Sequence, residues 1–133
     1  MANVVNALWL SALMQGAADT ALTGTVKVTL VDLADYSYSS AHEFIDDVPV
    51  AARVATETLT GKTYAGGVLD ATDTTLAAVT GDTSEALVVW IDTGVEGTSR
   101  LVAYIDSGVS GLPVTPNGGD LNLIWNASGI LRI

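Results

Sequence analysis

Residues 86–106 constrain this chain more than any other stretch. They hold two near-identical apolar runs, ALVVWID and RLVAYID, joined by TGVEGTS, and each run is closed by Asp and Thr/Ser-Gly. Short alternating runs around a Gly-containing turn predict a β-hairpin. Side chains alternate along a strand, so Ala86, Val88, Trp90 and Asp92 share one face while Leu87, Val89 and Ile91 share the other. In the second run Arg100, Val102, Tyr104 and Asp106 take the even face and Leu101, Ala103 and Ile105 the odd one. Folding about Gly97 sets Trp90 opposite Tyr104. The odd faces are aliphatic, and the even faces are apolar with an aromatic in the middle. Both sides of the strand pair therefore need cover. The expectation is that a second protein chain covers Val88, Trp90, Val102 and Tyr104.

The composition sharpens that expectation. The chain has 133 residues, enough for one domain over residues 1–133 that buries roughly two-thirds of its unfolded surface. Hydrophobic residues make up 49% of it, charged ones 15%, and the mean hydropathy is +0.42. Such a surface is sticky unless part of it is consumed in assembly. The 15 Asp and Glu outnumber the 5 Lys and Arg, giving a net charge of -10. That balance argues against nucleic acid and against anionic membranes, since both need clustered cations. Cysteine is absent, which excludes disulfides and thiolate metal sites. The N-terminal stretch lacks the positive charge of a secretion signal, and no apolar run approaches ~18 residues, so neither secretion nor a membrane span is expected.

In chain order, Asn3 is positioned to cap a helix within residues 1–20 that carries Val4, Val5, Leu8, Trp9 and Ala12 and fades at Gln15-Gly16. That helix packs either on the sheet or, through residues such as Trp9, on a neighbouring subunit. TVKVTLVDL, residues 25–33, alternates as a strand. Ser39 or Ser40 with Glu43 resembles a capping box, and Pro49 stops the short helix it would start. Strands are expected near residues 50–59, 62–65 and 74–79. After the hairpin a turn-rich connection with two prolines leads to a last hairpin, residues 121–125 with 130–133. Seven or eight short strands with turns about every ten residues predict a mainly β fold, an antiparallel sandwich or barrel with an N-terminal helix.

Candidate chemistry is sparse. Ile91-Asp92-Thr93-Gly94 and Ile105-Asp106-Ser107-Gly108 echo the aspartic-protease signature, whose chemistry needs two carboxylates about 3 Å apart. In the expected hairpin Asp92 faces Val102, which separates the two aspartates by about 13 Å along the strands. His42 is the single histidine and has no obvious nucleophile beside it. Asp70, Asp73, Asp82, Asn117 and Asp120 offer oxygen ligands of the kind calcium takes, without the spacing of an EF-hand loop, and turn formation explains them. GVSG and GGD lack the following Lys and helix of a phosphate loop. Trp9, Trp90, Trp125 and Tyr104 suit a core, an interface or a carbohydrate platform. No catalytic residue, metal or cofactor is expected.

The strings VDLADY, HEF-IDDVP, ARVA, LTGKT and GLPVTPNGGD, in this order from about Leu8 onward, resemble a family of small virion proteins of tailed bacteriophages. The resemblance implies a non-enzymatic structural component of the head or tail and brings no catalytic residues. Within the head it implies a capsid decoration or cement protein on the outer surface, a homotrimer whose partner is the major capsid protein. The alternatives are a tail protein, a head-tail connection protein, or a module binding host carbohydrate through Trp90 and Tyr104.

Overall fold

The computed structural model describes residues 3–16, 21 and 24–132. Ile133 and residues 17–20, which belong to the expected last strand and N-terminal segment, lie outside them. The chain is mainly β, with ten strands and one short helix among the described residues. The strands are β1 (Val4–Val5), β2 (Thr25–Val31), β3 (Arg53–Thr58), β4 (Thr63–Ala65), β5 (Val68–Asp70), β6 (Thr74–Leu76), β7 (Ala86–Asp92), β8 (Leu101–Ile105), β9 (Leu121–Leu123) and β10 (Leu131–Arg132). Helix α1 is Ala7–Met14. The strands form a five-stranded sheet, β1-β8-β7-β2-β3, a three-stranded sheet, β10-β5-β4, and the pair β6-β9, all antiparallel.

β7 is the centre of the large sheet. It pairs with β2 over seven residues, from Thr25↔Asp92 to Val31↔Ala86. Each is dominated by β-branched and aliphatic side chains and lacks Pro and Gly, which suits a central strand buried over most of its length. One face of this sheet packs Val26, Val28, Leu30, Leu87, Val89 and Ile91 against Trp9 of α1 and against Leu69, Leu76, Leu123 and Trp125 from the small sheets. That layering makes the molecule sandwich-like.

Four details depart from the sequence reading. Val4 and Val5 are not helical. They pair with Tyr104 and Ala103 as β1, because two β-branched residues fit a pleated edge better than a first helical turn, and Asn6 caps α1 in place of Asn3. The hairpin register is also displaced. Val88 faces Tyr104 and Trp90 faces Leu101, with a bulge between Val89 and Trp90 that breaks the even-odd division of β8. Val102 consequently joins the main core with Ala103, and its carbonyl accepts the Asn6 N–H at 2.7 Å. The expected last hairpin does not form: β9 pairs with β6, and β10 pairs with β5. Finally, the helix expected after Ser40 is reduced to a 3-10 turn, Ile45–Asp47, because Asp47 Oδ2 takes the Glu43 and Phe44 N–H groups at 2.8 and 3.2 Å.

Gly66 and Gly67 form the two-residue loop of the β4-β5 hairpin. Both have positive φ, +59° and +77°, as a type I′ turn requires.

Candidate functional site

The even face of the hairpin is covered from within the chain. Residues 32–52 leave β2, cross the second face of the large sheet and return into β3. Their buried side chains, Tyr36, Ile45, Val48 and Ala52, pack on Val31, Ala86, Val88, Trp90, Leu101 and Tyr104. Backbone bonds seat the crossing segment: Ile45 N–H to Ser99 O at 2.8 Å and Leu101 N–H to Glu43 O at 3.0 Å.

This internal cover corrects the expectation that a second chain shields the face. Relative exposure is 2% for Trp9, 1% for Val88, 9% for Trp90, 0% for Val102 and 2% for Tyr104. None of the five offers an aromatic or aliphatic surface to a partner. For the same reason Trp90 and Tyr104 form no carbohydrate platform. Trp90 donates its Nε1–H to Thr29 Oγ1 at 2.9 Å, Thr29 meets Thr56 at 2.7 Å, and Lys27 Nζ lies 5.7 Å from the Trp90 ring. Trp125 is likewise core, its Nε1–H donated to Thr74 Oγ1 at 3.2 Å. Sequence pattern marked these residues as needing cover but held no signal that an irregular segment supplies it, since residues 32–52 have no period.

Polar and aromatic contacts fix the cover in place. Tyr36 Oη lies 3.1 Å from His42 Nδ1, Asn6 Nδ2 donates to His42 O at 3.0 Å, and the Tyr38 and Tyr104 ring centroids are 5.3 Å apart. Arg53 donates to the carbonyls of Ile45 and Val48 and pairs with Glu96, while Arg100 pairs with Glu43 at 2.7 Å and lies over Phe44. Burial raises the Tyr104 hydroxyl to about 12, with Asp106 nearby adding to it, and burial pushes Tyr36 higher still. His42 is thus part of a structural junction.

The two Asp-Thr/Ser-Gly sequences sit at opposite ends of the hairpin. Asp92 pairs with Lys27 at 2.8 Å and its Oδ1 accepts the Gly94 N–H, whereas Asp106 follows the far end of β8, where Ile105 faces Leu87. The Lys27 ammonium holds the Asp92 carboxyl below the usual range, helped by the Gly94 N–H. Such a carboxylate does not share a proton with a partner.

The candidate calcium ligands are spread over several turns. Asp70, Asp73, Asn117 and Asp120 accept backbone N–H groups from Ala71, Trp125, Gly119 and Ala78 at 2.8 to 3.0 Å. Asp82 alone meets other carboxylates: its oxygens and those of Asp32 and Asp35 lie within 4.8 Å of one another, with Asp32 buried. Three oxygens could ligate a hard cation. Asp32 Oδ1, however, already accepts the Ala34 N–H at 2.8 Å. No local pattern marks this cluster, because about fifty residues separate Asp82 from the other two.

Several clefts open among the described residues, two of them beside the β4-β5 hairpin and beside β1. One, of about 260 Å³, is lined by Trp9, Tyr64, Gly66, Gly67, Leu69 and Leu131. The other, of about 250 Å³, runs between β1 and residues 128–132. The cations are largely committed: Lys27, Arg53 and Arg100 pair with acids, and Lys62 Nζ donates to Ala21 O and Gly24 O at 3.0 Å. Among the described residues no helix is long and apolar enough to cross a membrane. No protein-family model matches the chain, and a search of curated proteins finds no match.

Proposed function

We propose that this chain is a structural protein of a tailed-phage particle, a decoration protein that binds the outer surface of the capsid as a homo-oligomer. The observation that carries the reading is the state of the charges. Four of the five cationic side chains are consumed by contacts inside the chain, against 15 acids. The molecule therefore presents an acidic and neutral surface, suited to protein contacts and unsuited to polyanions. The resemblance of these strings to small virion proteins of tailed bacteriophages points the same way, and three of them lie close together in the chain. VDLADY and HEF-IDDVP build the cover, and ARVA opens β3.

Residues 111–120, the stretch that would have to serve as a stacking loop in a tail-tube protein, are pinned. Ser84 and Val114 form a β-bridge, Val79 N–H donates to Gly119 O at 3.0 Å, and Gly118 N–H to Val79 O at 2.8 Å. This favours head over tail. The test is co-sedimentation of the purified protein with bare expanded capsids and, separately, with isolated tails. Saturable binding to capsids is expected; binding to tails alone overturns the proposal.

A further inference from the structure

The five-stranded sheet ends in two strands, β1 and β3, each of which pairs on one side only. Unpaired edges are templates for another strand and are normally blunted. At β3 the blunting is slight. Leu59 N–H donates to Val26 O, so antiparallel alternation turns the backbone groups of Thr56 and Thr58 outward. The Thr58 N–H is taken at 2.9 Å by the carboxylate of its exposed neighbour Glu57. β1 presents half-buried Val4 and Val5 beside the cleft of about 250 Å³, whose opposite wall is residues 128–132. Exposed Arg132 stands in that wall. It is the one cationic side chain with no ion-pair or hydrogen-bond partner among the described residues.

We propose that these two edges join copies of the chain head to tail, β1 of one copy pairing with β3 of the next and Arg132 meeting the neighbour's Glu57. The occupant is a second copy because both halves of the contact are on one chain: an edge with an exposed acid bonded, among the described residues, only to its neighbour's N–H, and an edge with an exposed cation. The proposal rests on the homo-oligomer reading and names its contact surface. Pairing replaces the Glu57–Thr58 bond with a strand ladder and frees the carboxylate for Arg132. β1 is only two residues long, so the ladder sets register while the cleft walls supply area. A head-to-tail contact is heterologous and closes into a ring when its rotation allows.

Sedimentation velocity over a concentration series tests this on the wild type, Glu57→Arg, Arg132→Glu and the double reversal, with circular dichroism as the check on folding. Each single reversal is expected to weaken association by about tenfold, and the double to restore it. Should a reversal disturb folding, Glu57→Gln and Arg132→Gln read the same contact by loss alone. A wild type that is monomeric throughout, neutralised or reversed variants that associate unchanged, or a double reversal no better than the singles overturns the contact. Capsid binding by a monomeric chain would remove this contact and the homo-oligomer reading with it, and leave the capsid-surface role standing.

Discussion

Asn3 and Asn6 carry the same side chain three positions apart and have different roles. Asn6 is buried; its Oδ1 accepts the Leu8 and Trp9 N–H groups at 2.9 and 3.2 Å, and its Nδ2 reaches His42 O in the cover. Asn3 sits outside, its Oδ1 accepting the Asp106 and Ser107 N–H groups. Asn6→Ala removes a helix cap and leaves buried groups unpaired, so it should cost about 2 kcal/mol, against less than about 1 kcal/mol for Asn3→Ala. Urea denaturation measures both, and equal losses would contradict the assignment of the cap. Trp90 offers a second test at this scale. Its indole is enclosed by the chain's own cover, so Trp90→Asp buries a charge with no partner and should unfold the monomer. A folded, soluble, misassembled Trp90→Asp chain, seen by circular dichroism and sedimentation together, would show that the face belongs to an interface after all.

At the scale of elements, the hairpin and β2 were legible in the sequence because alternation over five to seven residues has few other solutions. The β8 bulge was not legible. Nothing in RLVAYID distinguishes Val102 from its neighbours, and the Asn6 N–H that takes its carbonyl comes from the other end of the chain. The cover was illegible for a similar reason: its identity lies in long-range bonds such as Arg53 to Glu96. Those bonds give the fold a pH signature. Asp92 is held low by its bond to Lys27, and Asp47 by the backbone N–H groups of Glu43 and Phe44. A carboxyl depressed in the folded state stabilises above its unfolded pKa, and that contribution is lost as pH falls through the folded value. Stability should therefore decline from about pH 4 downward, and Asp92→Asn should flatten the decline while lowering stability at neutral pH. Tyr104 sets the other limb. Its raised hydroxyl favours the neutral folded form, so stability is lost as pH rises from about 10 towards its folded value of about 12. Denaturant midpoints across pH check both limbs; a midpoint unmoved below pH 4 would mean that these carboxylates bind equally in the unfolded chain.

For the whole molecule the deciding quantity is the imbalance of charge. Three ion pairs among the described residues, Lys27–Asp92, Arg53–Glu96 and Arg100–Glu43, are each partly exposed, so water and salt screen them and they contribute little. Against them stands a net charge of -10 spread over 133 residues, whose self-repulsion opposes compaction. Salt weakens both, yet it acts over a Debye length of about 10 Å at 0.1 M, so it screens the distributed repulsion more than pairs in direct contact. The melting temperature should thus rise with added sodium chloride. Association should strengthen over the same range, because two copies of an acidic chain must come together around a single Arg132–Glu57 contact. Differential scanning fluorimetry and sedimentation on shared samples read both effects. A melting temperature that falls with salt would put the ion pairs ahead of the repulsion. In that case the committed cations would be holding the cover down more strongly than their exposure implies.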